Sequence, residues 1–366
     1  MKQLYDQMEL NTEEILFDLQ ELGQKHDIKG VFVVSGNTYK RTYLPKYFDA
    51  LGWKDTHFSG FSPDPDYKEV CDGVAQFKAS KADIIVAVGG GSAMDVAKAI
   101  KLYADLPEGV DYMKEEEKPA NVPFLAVPTT AGTGSEVTRV AVISDKSAGL
   151  KLSVYSQALF PKLALVDPQY TASVPKRTTA ATGLDALAHA LDALSSRKPS
   201  PVTNALAQKA CELIVKNLEA VLEDGNNLDA RAGMSQASTI AGLAFSQTGT
   251  AGSHACSYRL SIEHHIPHGE ACAFTLDRWV EINAEARPEL RQIYLAIGFE
   301  NETAFSAWIN RMKEKGELCT TLRECGVTDR AEIAAFAEHA LKNNNYANNV
   351  AQIGYEGLYK LFEEKF

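Results

Sequence analysis

Cysteine is scarce in this chain: six of 366 residues (Cys71, Cys211, Cys256, Cys272, Cys319 and Cys325), none of them in a CxxC pair. So sparse a set excludes a disulfide-stapled scaffold. It predicts reduced thiols, most of them buried as small hydrophobes, in a reducing compartment such as the cytoplasm. Long hydrophobic runs are missing too. The longest apolar stretches, such as residues 84–88, have the length of buried strands, well short of the ~20 residues of a membrane span. The start, Met1-Lys2-Gln3-Leu4-Tyr5-Asp6, lacks the apolar segment of a signal peptide. Basic charge is in deficit: 37 Lys and Arg against 48 Asp and Glu leave a net charge of −11, which counts against a nucleic-acid partner. There is no low-complexity tract and no internal repeat. The 45% hydrophobic and 23% charged content is that of a globular protein, and the length suits two domains.

The texture changes near Pro168. Before it, Gly30-Val31-Phe32-Val33-Val34, Ile84-Ile85-Val86-Ala87-Val88, Phe124-Leu125-Ala126-Val127 and Leu163-Ala164-Leu165-Val166 read as buried strands between amphipathic stretches. Unbroken runs of this kind predict a parallel sheet covered on both faces, hence an α/β domain over 1–168. After it, Ala/Leu/Glu/Lys segments with three-to-four-residue spacing, such as residues 205–222 and 331–341, predict an all-α domain over 169–366. Asp224-Gly225-Asn226-Asn227 and Lys342-Asn343-Asn344-Asn345 read as loops or helix ends.

The strand ending at Val88 runs into Gly89-Gly90-Gly91-Ser92-Ala93-Met94-Asp95. Three glycines let backbone N–H groups approach a ligand closely, and a helix start behind them favours phosphate; without a ligand this is an ordinary tight turn. Ser92 is expected as the N-cap, with Asp95 completing a capping box. No P-loop is present, and the GxGxxG fingerprint is incomplete because Met94 holds its third glycine position. After the next strand comes Pro128-Thr129-Thr130-Ala131-Gly132-Thr133-Gly134-Ser135-Glu136-Val137-Thr138-Arg139, a hydroxyl-rich loop placed to form a second wall of a nucleotide site.

Asp185 and His189 lie in Gly183-Leu184-Asp185-Ala186-Leu187-Ala188-His189, a strong helix former, and i,i+4 spacing puts both on one face. Alone they serve equally as a hydrogen-bonded pair or as two ligands of a divalent metal. His254 and His268 tilt the reading toward metal. Half of the eight histidines (His254, His264, His265 and His268) fall in one short stretch, and Pro267 predicts that His268 begins a new helix.

These motifs, in this order, resemble those of the iron-containing, or group III metal-dependent, alcohol dehydrogenases over roughly residues 30 to 280. The resemblance implies a dinucleotide domain, a helical domain and a catalytic metal, Fe²⁺ or Zn²⁺, held by Asp185, His189, His254 and His268. It also implies diphosphate contacts from Gly89, Gly90, Gly91 and Ser92, near Asp95. Thr129, Thr130, Thr133 and Thr138 would lie along the cofactor, with Lys151 near the ribose unless it is simply solvated. Gly36-Asn37 stands where NAD-selective members carry an acidic residue. NAD(H) is expected, and NADP(H) stays open. A homo-oligomer, such as a dimer, is the common assembly in this family.

Tyr258 replaces a second histidine that many members carry four residues after the one at His254. Tyr258 and His265 are therefore candidate catalytic proton relays, and Tyr258 also a candidate lining of the substrate site. Arg139 and Arg259, if both face the substrate, would form an anion site. The Ser-Tyr pair and the IPHGEACA run are similar to those of sulfoacetaldehyde and phosphonoacetaldehyde reductases. The expected reaction is reduction of a small anionic aldehyde, with sulfoacetaldehyde (to isethionate) favoured. A general short-chain alcohol or lactaldehyde-type dehydrogenase is the alternative, and a dehydroquinate-synthase-like lyase a remote one.

Overall fold

The computed structural model describes residues 8–9, 12–107, 109–116, 118–146 and 150–366, with side chains from residue 15 onward except those of 150 and 151. The chain forms two compact units. One runs to Thr130 and takes in Ser135–Thr171; the other comprises Ala131–Gly134 and Ala172–Phe366.

The first unit is built on six parallel strands: β1 (Met8–Glu9), β2 (Gly30–Ser35), β3 (Lys54–Phe58), β4 (Ile84–Gly89), β5 (Phe124–Pro128) and β8 (Leu163–Leu165), in the order β1-β8-β5-β4-β2-β3. The four strands expected from their apolar runs are all present. β4 and β5 are buried at every residue, because helices cover both faces of a parallel sheet. β3 was not anticipated. Its sequence, Lys-Asp-Thr-His-Phe, is mostly exposed, as an edge strand permits, and so lacks the apolar signal. A separate antiparallel pair, β6 (Val140–Asp145) and β7 (Leu150–Tyr155), is a further addition.

Apart from the short β1, the order β3-β2-β4-β5-β8 is the doubly wound 2-1-3-4-5 pattern, with its switch point between β2 and β4. Register aligns the strand ends there: Ser35 pairs with Val88, and Gly89 with Pro128. The segments that follow β2, β4 and β5 therefore emerge side by side along the edge where such sheets bind ligands.

The second unit is helical. α5 (Lys176–Ser195), α6 (Pro201–Glu223) and α7 (Leu228–Thr248) supply most of its core, and from Thr179 to Ser195 α5 is almost wholly buried. Its run of alanines lets neighbouring helices come close. α6 opens on a Ser200–Thr203 capping box with Pro201 at its first turn, and Asn227 caps α7. α8 (Gly252–Glu263) and α9 (His268–Phe274) follow, then α10 (Leu276–Ala286), α11 (Leu290–Ala296), α12 (Glu302–Lys315), α13 (Glu332–Lys342), α14 (Asn344–Asn348) and α15 (Gly354–Glu363). The expected break at Lys342–Asn345 shrinks to one residue. Asn343 ends α13 and its side chain caps α14. Among the described residues no helix is long and apolar enough to cross a membrane.

A buried ionic knot ties this unit together. Asp277 on α10 accepts from Lys313 Nζ at 2.5 Å and from Lys365 Nζ at 3.0 Å, with Lys313 fully buried. Burial alone would raise the Asp277 carboxyl, but the two lysines outweigh it and hold it down at about 2. A depressed carboxyl stabilises the fold above its ordinary range, and that contribution is lost as pH falls from about 4 toward 2. Asp277→Asn leaves two buried ammonium groups without their anion and should cost about 3–5 kcal/mol. Urea unfolding at pH 7 checks this, and the gap between variant and wild type should narrow on acidification.

Candidate metal centre and dinucleotide site

In the first unit, the helix α4 (Gly91–Tyr103) rises directly from β4. Gly89 makes that turn possible: a Cβ there would lie 2.6 Å from Ala93 Cβ. Gly90, not Ser92, is the N-cap, so the capping box expected of Ser92 and Asp95 does not form. The Ser92 hydroxyl instead donates to the Pro63 carbonyl, and Asp95 lies beyond the first turn. Because Gly90 offers no side-chain acceptor, the first-turn N–H groups of this 13-residue helix stay available to an anionic ligand.

Gly36 and Asn37 follow β2, exposed, while Thr129 (buried) and Thr130 (half-buried) follow β5. Thr138 differs from expectation. It is buried, and its hydroxyl accepts from Lys98 Nζ at 3.0 Å, which places it in the support of the loop. Lys98, on α4, is fully buried and also donates to the Ser135 carbonyl (2.7 Å), Ser135 Oγ (2.8 Å) and the Val140 carbonyl (2.9 Å). It straps the hydroxyl-rich loop to the glycine-turn helix. Burial pulls the Lys98 ammonium down to about 8, with Asp95 and Glu136 opposing. Thr133 belongs to the helical unit, and Arg139 is half-buried ahead of β6. The Lys151 side chain lies outside those described.

In the second unit, three helices bring together the residues expected to bind metal. α5 presents Asp185 and His189 on one face, α8 carries His254, and α9 begins at His268 behind Pro267, as the sequence predicts. Gly269 lets α9 lie against α5: a Cβ at that position would be 2.5 Å from the Ala181 carbonyl oxygen and 3.0 Å from Asp185 Cβ. Ligand atoms of Asp185, His254, His268 and Cys272 all fall within 4.8 Å of one another. His189 Nε2 is 4.0 Å from Asp185 Oδ1, and its ring stacks between those of Phe245 and His254, with centroids at 4.2 and 4.6 Å.

Hydrogen bonding sets the tautomers. His254 Nδ1 lies 2.8 Å from Asp192 Oδ2, and His189 Nδ1 lies 3.2 Å from the Gly132 carbonyl oxygen. Both acceptors require N–H at Nδ1, which leaves each Nε2 as the ring atom a metal would take. Asp185 Oδ1 lies 3.7 Å from His254 Nε2, and neither atom has a hydrogen-bond partner among the described residues. Buried polar atoms without a partner are costly, and a divalent cation would engage both. The residues present therefore fit a metal. Burial pushes the Asp185 carboxyl up to about 7 and holds His189 well below the ordinary histidine range. Burial also opposes charge on His254, but Cys272 and Asp192 outweigh it and hold that ring well above the range.

Two participants escaped the sequence reading. Asp192, seven residues after Asp185, continues the same helical face. Its carboxylate accepts from His254 Nδ1, Ala251 N (2.6 Å), Ser253 Oγ (2.9 Å) and Ser253 N (3.4 Å), which also places an anion at the start of α8. Cys272 stands four residues after His268, one turn along α9. Both spacings were legible as repeats of the pattern read at Asp185 and His189.

The candidate relay and anion-binding residues are placed differently. Tyr258 is half-buried, its ring centroid 6.2 Å from that of His339. His265 is exposed, with a left-handed φ of 56°. Arg259 is engaged: its guanidinium meets Glu263 at 2.5 Å and Glu332 at 3.9 Å, and lies 5.3 Å over the Phe336 ring.

Asp192 holds the His254 tautomer, so Asp192→Asn should lower metal affinity about 10- to 100-fold with the fold retained. Chelator competition measures the affinity, and far-ultraviolet circular dichroism the fold.

Comparisons with known proteins identify the family. The model of the iron-containing alcohol dehydrogenases matches residues 11–168, and that of the family's C-terminal domain matches residues 179–366. The 1-propanol dehydrogenase of Salmonella typhimurium is 35% identical, covering 84% of either chain. The 1,3-propanediol dehydrogenase of Klebsiella pneumoniae is 34% identical over 92% of this chain and 89% of its own. Among solved structures, sulfoacetaldehyde reductase from Bifidobacterium kashiwanohense, in complex with NAD+, superposes with a TM-score of 0.91 at 31% identity, covering 98% of this chain and 96% of that one. The chain belongs to the iron-containing alcohol dehydrogenase family and is an oxidoreductase.

Proposed function

We propose that the protein interconverts a short-chain aldehyde and its alcohol, using NAD(H) and a divalent metal held in the helical unit. The observation that carries this is the convergence of buried Asp185 Oδ1 and His254 Nε2, neither with a hydrogen-bond partner among the described residues, with His189 Nε2 4.0 Å from the same carboxylate oxygen. When bound, the metal supplies Lewis acidity toward a carbonyl oxygen, and NAD(H) carries the hydride. The chain's own residues do the positioning. Asp192 and the Gly132 carbonyl orient two imidazoles, and the uncapped start of α4 offers N–H groups to the cofactor diphosphate. Gly36 and Asn37 place no carboxylate after β2. The likeness to a reductase solved with NAD+ supports NAD(H), and nothing after β2 repels a 2′-phosphate. NADPH should support turnover at a reduced kcat/KM, read directly from its oxidation rate.

Arg259 weighs on the substrate. A guanidinium already neutralised by Glu263 and stacked on Phe336 is poorly placed to take up an anionic tail. An uncharged aldehyde such as propanal is favoured, in line with the propanol and propanediol dehydrogenases among the relatives. The likeness to sulfoacetaldehyde reductase supports a second reading, sulfoacetaldehyde, with Arg139 as the anion-binding residue.

Charged hydrogen bonds contribute about 1.5–3 kcal/mol, roughly ten- to hundredfold in kcat/KM. NADH oxidation with metal-loaded enzyme should therefore show propanal within about tenfold of sulfoacetaldehyde, and Arg259→Ala should alter both substrates alike. A hundredfold advantage for sulfoacetaldehyde, lost in Arg139→Ala, would establish the second reading instead.

A further inference from the structure

Cys272 is fully buried within the cluster, where its thiol interacts with the Asp185 and His254 side chains. Its Sγ lies 3.6 Å from His268 Nε2, and it shares with Asp185, His254 and His268 the mutual spacing of 4.8 Å or less that suits ligands of a single ion. The independent sign of a ligand is that Asp185 Oδ1 and His254 Nε2, both buried, have no hydrogen-bond partner among the described residues. Position on α9 explains the approach. His268 and Cys272 are one turn apart on the helix that Gly269 brings down onto α5, so whatever draws His268 to the centre brings Cys272 with it.

We propose that the Cys272 thiolate is a ligand of the metal at this centre, alongside Asp185, His254 and His268, an inference that rests on the metal-centre reading above. Binding forms one metal–sulfur bond and releases the thiol proton to solvent, with no change of oxidation state. Two consequences follow from the charges. Two anionic ligands neutralise a divalent ion, where Asp185 with histidines alone would leave a net positive site. A thiolate also shifts preference toward softer ions, raising Zn²⁺ and Co²⁺ over Mn²⁺ and Mg²⁺.

Cobalt substitution reads this directly, because thiolate coordination to Co²⁺ produces an intense near-ultraviolet charge-transfer band that nitrogen and oxygen ligands do not. The wild-type protein loaded with Co²⁺ should show the band, Cys211→Ala should keep it, and Cys272→Ser should lose it while still retaining cobalt on dialysis. Cys272→Ser should also lose at least about tenfold in Zn²⁺ affinity by chelator competition, with a smaller change for Mn²⁺. Cobalt bound to wild type without the band overturns the proposal and leaves the metal centre standing, whether or not the variant folds. A band that survives Cys272→Ser overturns it equally. Failure of the wild type to retain any cobalt, zinc or iron overturns both.

Discussion

Three polar atoms converge in the interior of the helical unit, and much of that unit is arranged to keep them there. Asp185 Oδ1 and the Nε2 atoms of His189 and His254 would each bond to water at a surface. Here the Gly132 carbonyl and Asp192 engage the far nitrogens, so neither ring is free to turn away. Asp192 is in turn fixed by the backbone and side chain at the start of α8. A pocket whose imidazoles are held in this way is preorganised for a cation.

The sheet unit answers a different demand, that of an exposed edge lined with donors above a dry core. Strands buried on both faces end in register, and at that line the side chains give way to glycine and threonine. Lys98 reconciles core and edge. Its stem belongs to the interior, and its ammonium gathers two carbonyls and two hydroxyls of a loop with little regular structure of its own. The cost of burying that charge is offset by four polar partners.

How much of this was visible in the sequence depended on whether a pattern was local. β2, β4, β5 and β8 announced themselves because burial on both faces forces unbroken apolar runs. β3 did not, because an edge strand has no such constraint. The start of α9 was legible from Pro267, but the start of α4 was misjudged by two residues. A serine is ordinarily the better cap, yet here the turn needs glycine and leaves Ser92 to bond Pro63. Asp185, His189, His254 and His268 were singled out by their types and order, and the helices draw Asp185, His254 and His268 to within ligand spacing of one another. Asp192 and Cys272 were passed over, although each continues a helical face already recognised. The setting of Arg259 was out of reach, since Glu332 and Phe336 lie some seventy residues further along the chain.

The Gly132 carbonyl that orients His189 belongs to a four-residue stretch, Ala131–Gly134, which the chain contributes to the helical unit in the midst of building the sheet unit. The two units are thus not two consecutive lengths of sequence. A gene fragment beginning after Thr171 would encode every proposed metal ligand yet omit the acceptor that sets one imidazole. The helical unit could not have been traded between proteins as a simple cassette and kept its metal chemistry intact. Divergence in such a chain is expected to proceed by substitution around a fixed pair of units rather than by exchange of either one.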